Sequence, residues 1–205
     1  MKWLFWCLGA AAVLAVVFVV LYTDTKQEPS GINVPPEKRD DAHMLRYTDG
    51  ALGFGFTYRD DPDGYYLFEA ERGTNDPEDL VHTITLTVKS EHDELLRATS
   101  PREGPPTIVM YVFQDGEDAS LRAWAETNAR TSNIQLIRGD VTDTTIAGAD
   151  AIRYESDGLY LFDNVIFRHE NHTFLISGAY HDENSRTRRD FQPLLDSLTL
   201  TQVPR

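Results

Sequence analysis

Residues 160–180 read YLFDNVIFRHENHTFLISGAY. Two apolar, β-branched and aromatic runs, residues 160–168 and 173–180, flank a short polar stretch, His169-Glu170-Asn171-His172. Runs of that length and composition are strands, and a polar connection this short folds them into an antiparallel hairpin.

Working outward, strands precede the hairpin. Phe54, Phe56 and Tyr58 alternate with smaller residues, the period of a half-buried strand. Asp60-Asp61-Pro62-Asp63-Gly64 is a turn, and residues 65–71 return as a second strand. Residues 80–89 alternate through Ile84, Leu86 and Val88. Residues 107–113 are apolar at nearly every position and read as a central strand, and residues 151–156 lead into the hairpin.

Two helices interrupt this pattern. Leu121, Trp124, Ala125 and Asn128 fall at helical spacing, with Asp118 or Ser120 as N-cap, and that spacing makes Trp124 a core residue. Phe191, Leu194, Leu195 and Leu198 show the same spacing near the C-terminus. Pro193 predicts either a kink or a regular helix that starts late, near Asp190, because proline is tolerated in the first turn. The expected fold class is α+β: a mostly antiparallel sheet covered by helices.

The N-terminal region is of another kind. The 20 residues from Trp3 to Tyr22 carry no charge, and 11 of them are Leu, Phe or Val. At about 1.5 Å per residue the run spans roughly 30 Å of helix, the thickness of a hydrocarbon core. A cleaved signal peptide has an apolar run of ~7–15 residues ending in a small-x-small site. Here the run is longer and ends Val19-Val20-Leu21-Tyr22, and Cys7 lies too early for a lipoprotein signal. Residues 1–22 are accordingly read as an uncleaved transmembrane signal anchor, residues 23–45, with Pro29, Pro35 and Pro36, as a flexible linker, and residues 46–205 as one α+β domain. The basic residues flanking the span discriminate orientation poorly. A short stub before a long domain is most simply placed with the domain outside the cytoplasm.

Strand order and several local stretches carry a resemblance to a known fold family. These are Gly53-Phe54-Gly55-Phe56-Thr57-Tyr58, Ser120-Leu121-Arg122-Ala123-Trp124, Ile146-Ala147-Gly148-Ala149-Asp150-Ala151, Phe174-Leu175-Ile176-Ser177 and Phe191-Gln192-Pro193-Leu194-Leu195-Asp196-Ser197-Leu198. Over roughly residues 47–202 the chain resembles the PsbP-like α/β/α sandwich of short bacterial membrane-anchored or exported proteins. The resemblance implies a binding or scaffolding role. It carries over no functional residue, because no functional motif matches residue by residue.

Charge and motifs narrow the function classes. A net charge of −14 argues against nucleic acid as a partner. One cysteine excludes an intramolecular disulfide framework. No nucleophile elbow, phosphate loop or dinucleotide fingerprint occurs. His169 and His172, with His181, Asp182 and Glu183 further on, are the candidate metal ligands, although the spacing is not that of a helical zinc motif. Asp60, Asp61 and Asp63 fail as a calcium loop, since Arg59 and Ala70 would occupy its first and last ligand positions. Asn171-His172-Thr173 fits a glycosylation acceptor and equally a turn. Arg186, Arg188 and Arg189 read as a solvated face. The expectation is a single-pass membrane-anchored protein that binds a protein or envelope partner outside the cytoplasm, without a cofactor. The alternatives are a metal-assisted hydrolase using the histidines and a small-ligand binding module.

Overall fold

The computed structural model describes residues 43–114 and 119–203, together with the short strand β1 (Glu37–Lys38). The predicted anchor, most of the predicted linker and Asp118 lie outside the described residues. No helix among the described residues is long and apolar enough to cross a membrane.

In chain order β1 is followed by β2 (Met44–Asp49), β3 (Phe54–Arg59), β4 (Tyr65–Glu71) and β5 (Leu80–Val88). Helix α1 (Lys89–Arg97), β6 (Thr107–Gln114), α2 (Leu121–Thr127) and α3 (Ala129–Ser132) come next. The chain then runs through β7 (Ile137–Ile146), β8 (Ala149–Asp157), β9 (Leu161–His169), β10 (His172–Tyr180), α4 (Arg186–Asp196) and β11 (Thr199–Leu200). Every strand pairing is antiparallel. The strands form two sheets, one of four in the order β1-β2-β3-β11 and one of seven in the order β4-β5-β6-β10-β9-β8-β7.

The hairpin behaves as its sequence dictates. β10 is buried at eight of its nine positions and lies between β6 and β9. Its connection to β9 is the two-residue turn Glu170-Asn171, with Glu170 in the left-handed region at φ 52°. Alternation then divides the side chains between two layers. Phe174 and Ile176 join Ile84, Leu86, Met110 and Phe167 on the inner face, under Phe54 and Phe56 of the small sheet and Phe191 and Leu195 of α4. Phe174 stacks on Phe167 at 5.0 Å and meets Phe54 edge-on at 5.0 Å. Such aromatic pairs contribute ~0.5–1.5 kcal/mol each beyond the area they bury.

Leu175, Ile166, Tyr154 and Phe113 point to the outer face, where Trp124 and Ala125 of α2 cover them. Trp124 meets Phe113 edge-on at 5.0 Å and is a core residue, as its spacing predicted. Ser120 is the N-cap, its hydroxyl accepting the Ala123 N–H at 3.1 Å.

Four features depart from the sequence expectation. The strand ending near Lys89 stops at Val88, and a helix, α1, begins at once. α1 buries none of its residues, so it has no apolar stripe to read. β7 is likewise polar, exposed at six of its ten positions. A second sheet gathers β2, β3 and the two-residue β11, which is too short to show a period. Finally, α4 starts at Arg186 and runs through Pro193, so the late start near Asp190 does not occur. Tertiary contacts fix that early turn: the Thr187 hydroxyl donates to the Ala179 carbonyl at 2.5 Å, and Arg188 reaches Asp163.

Candidate functional site

The fold brings two of the three candidate histidines together and separates the third. His169 and His172 are directly opposed across the β9–β10 hairpin. His169 Nε2 lies 2.9 Å from the Thr201 carbonyl oxygen, which ties the C-terminal segment to the turn. His172 Nδ1 is buried without a partner. Burial, and secondarily the nearby His169, hold His172 below the usual imidazole value. His181 follows the far end of β10, nine residues and therefore about 30 Å away along the strand. There it packs edge-on against Tyr160 at 4.9 Å. Asp182 is occupied in a turn, accepting from Asn184 N–H at 2.8 Å, and Glu183 accepts from Arg188 at 3.1 Å. Among the described residues no three His, Cys, Asp or Glu side chains converge as a metal site would need.

Of the basic cluster on α4, Arg189 is exposed and Arg186 lies 4.0 Å from Asp190, an acidic neighbour on the same helix, but Arg188 belongs to a structural clamp rather than a solvated face. Asp163 on β9 has a side chain only 2% exposed. It accepts from Arg153 Nε at 2.9 Å and Nη2 at 2.5 Å, and from Arg188 Nη1 at 2.5 Å. Arg188 also donates to Glu155 and Glu183, and its guanidinium lies 4.8 Å from the Tyr180 ring centroid. Arg153 donates to Gln192 of α4 at 2.6 Å. Two guanidiniums and one carboxylate thus join α4 to the sheet, and none of the three is left over for a ligand. The Asp-rich turn is similarly closed on itself, with Arg59 paired to Asp61 and Lys89 to Asp60.

What remains open is part of the outer face of the large sheet. α2 covers β8, β9 and the parts of β6 and β10 that carry Phe113 and Leu175. Register places Tyr66 and Phe68 of β4 beside Thr87 and Thr85 of β5, and Thr85 beside Val109 of β6, which lies beside Ser177 of β10. All of these side chains share one face, because antiparallel partners point the same way. Tyr66 and Phe68 are 36% and 45% exposed, and Thr83, Thr85, Val109 and Tyr111 are half-buried. The ring of His92 from α1 stands over Tyr66 and Phe68 at 5.4 and 5.3 Å.

Toward β9 the same face sinks into a buried polar chain. Ser177 donates to Asn164 at 2.7 Å, and Asn164 donates to Ser156 at 2.9 Å. The open floor at Tyr66, Phe68, Thr83, Thr85 and Val109 is therefore rings, methyls and hydroxyls, with the Lys89 ammonium at its border, 5.5 Å from the Tyr66 ring centroid. Depletion of charge with enrichment of aromatics is the composition of an interface core. The clefts elsewhere are polar. One of about 280 Å³ between α4 and the β7–β8 turn is lined by Thr144, Arg153, Gln192 and Asp196, with Arg153 and Gln192 already engaged.

The sequence reading missed this face, although half of its signal was present. In Thr83-Ile84-Thr85-Leu86-Thr87-Val88 the apolar alternate residues were read as core. The threonines between them mark the opposite, partly wet face.

No protein-family model matches the chain, and no curated protein matches it by sequence. Among solved structures the fold is similar to the solution structure of cyanobacterial PsbP (CyanoP) from Synechocystis sp. PCC 6803. The two share 11% identity with a TM-score of 0.49, over 78% of this chain and 93% of that one. The PsbP-like resemblance read from the sequence is the same likeness, and it concerns fold.

Proposed function

We propose that the chain is a single-pass, membrane-anchored protein whose domain lies outside the cytoplasm and acts as a non-enzymatic binding or scaffolding module for a protein partner. The observation that carries the binding role is the open outer face formed by Tyr66, Phe68, Thr85 and Val109, held by a sheet whose other face carries the main core. A sheet surface of rings and methyls gains from excluding water and loses little entropy on docking. The anchor rests on the uncharged run from Trp3 to Tyr22, and the orientation on the short stub that precedes it.

The test is co-purification of the full chain from its own membrane. A stoichiometric partner is expected with the unaltered chain and is expected to be lost in Thr85→Arg or Val109→Arg. Both positions are half-buried on the open face, so a charge there desolvates badly against a partner. Equal capture by both variants refutes the assignment of the face. Release of the chain by carbonate extraction refutes the anchor, and digestion of the domain by protease only from the cytoplasmic side refutes the orientation.

A further inference from the structure

The two outer edges of the seven-stranded sheet are built differently. β7 carries the usual protection of a free edge: its register with β8 breaks between Arg138 and Thr142, Gly139 stands at φ 77°, and Arg138, Asp140 and Asp143 are exposed. β4 has no break in register and no glycine, and its only charges are two exposed glutamates, Glu69 and Glu71, near one end of the strand. Its seven residues, Tyr65-Tyr66-Leu67-Phe68-Glu69-Ala70-Glu71, pair with β5 in unbroken register and include no proline, lysine or glycine. Among the described residues no strand pairs with its outer side. An edge strand of this length, about 23 Å, in unbroken register is a template for a further strand whose pairing keeps the glutamates apart.

We propose that the further strand is β4 of a second copy of this chain, paired antiparallel about a two-fold axis at Phe68. The pattern of β4 is what selects that occupant. With Phe68 opposite the partner's Phe68, all seven residues find a partner. On the outer face Tyr66 meets the partner's Ala70, a large ring against a small side chain. On the inner face Leu67 meets the partner's Glu69, and Tyr65 meets the partner's Glu71. Moving the axis to Glu69 sets Glu69 against the partner's Glu69, and moving it to Ala70 sets Glu69 against the partner's Glu71. Like charges directly opposite one another are destabilising. Glu69 is in addition already engaged within its own copy, accepting from the Tyr47 hydroxyl at 3.1 Å and lying 3.2 Å from His82 Nε2. An axis at Phe68 gives an isologous contact that closes after two copies and joins the two large sheets into one.

The proposal concerns the edge of the sheet and stands whether or not the open face binds a partner. It is tested by site-directed cross-linking of the full chain in its membrane, with Cys7→Ser removing the one native thiol. Phe68→Cys, Ala70→Cys and, as a remote exposed control, Leu159→Cys are compared under mild oxidation. Opposed residues have Cβ atoms about 4.5–5.5 Å apart, close to what a disulfide spans, so Phe68→Cys is expected to give about tenfold more covalent dimer than either control. The two copies of position 70 are four residues out of register, about 13 Å apart.

A measurement free of added thiols accompanies it. Light scattering in mild detergent is expected to show a dimer for the unaltered chain and a monomer for Phe68→Lys, since an edge lysine opposes pairing. Thr85→Arg is expected to leave the dimer intact. A monomeric unaltered chain, or cross-linking at Ala70→Cys or Leu159→Cys equal to that at Phe68→Cys, overturns the proposal.

Discussion

Replacing Asp163 by alanine is expected to cost the protein about 2–3 kcal/mol of unfolding free energy. The carboxylate is almost wholly buried and accepts three N–H bonds, two from Arg153 and one from Arg188. Stranding a buried charge by removing its partner costs ~3–5 kcal/mol when the charge has nowhere to go. Here each arginine has an alternative. Arg188 keeps Glu155 and Glu183, and Arg153 keeps Gln192. Their side chains are 21% and 33% exposed, so water can reach both. That relief brings the expected cost below the fully stranded value.

Asp163→Asn keeps the shape and one acceptor, and is expected to cost about 1–2 kcal/mol, nearer the value of a charge-assisted hydrogen bond. The assay is urea unfolding of the full chain in mild detergent. The midpoint should fall in the order unaltered, Asp163→Asn, Asp163→Ala, with an unchanged slope. Because the clamp joins α4 to β9, amide exchange should accelerate first in α4. A loss under about 0.5 kcal/mol for Asp163→Ala, or exchange that accelerates uniformly, would refute the clamp and return the α4 arginines to the role of an ordinary solvated face.

Three further outcomes follow from local geometry. Gly178→Ala would set a Cβ 2.6 Å from Phe191 Cδ2, and Phe191 is fully buried against the sheet. The overpacking should cost roughly 1–3 kcal/mol, less a few tenths regained from chain entropy, as read by thermal unfolding. Ala147 holds φ 50° before Gly148 at φ 87° in the two-residue β7–β8 turn, so Ala147→Asn should stabilise by about 0.5–1 kcal/mol, and no gain in the urea midpoint would count against that turn geometry.

Glu91 has a buried Oε2 without a partner, and burial, the largest cause, raises its carboxyl above the ordinary range. The folded state then holds this proton to higher pH than the unfolded chain, so stability falls as pH rises above the ordinary carboxylate value. Glu91→Gln should melt higher than the unaltered chain at about pH 7 and match it near about pH 4. An identical melting difference at both pH values refutes the reasoning.

The sites differ in how far the sequence revealed them. Apolar alternation marked β3 and β5, near-continuous apolar runs marked β6, β9 and β10, and helical spacing placed Trp124 in the core. The histidine pair at 169 and 172 followed from the hairpin alone, since a two-residue turn makes its flanking residues neighbours. His181 was grouped with them from the sequence, and the length of β10 separates it. Arg188 was opaque, since its partner Asp163 lies 25 residues earlier and a charge run looks the same whether it faces water or a buried carboxylate. The open face was half visible in the threonines of β5, but nothing in the chain says that α2 stops short of them.

By itself the sequence determined the α+β class, the antiparallel hairpin at residues 160–180 and the covered strand at residues 107–113, because period and turn chemistry are local. It also determined that an uncharged run long enough to span a bilayer precedes the domain. The tertiary structure decided which elements depart from period: a helix with no buried residue, a polar edge strand, and a helix that runs through Pro193 because Thr187 and Arg188 anchor its first turn. It also decided which surface stays open and which sheet edge keeps an unbroken register. Those properties depend on what packs over a residue from distant parts of the chain, and local pattern carries no record of that.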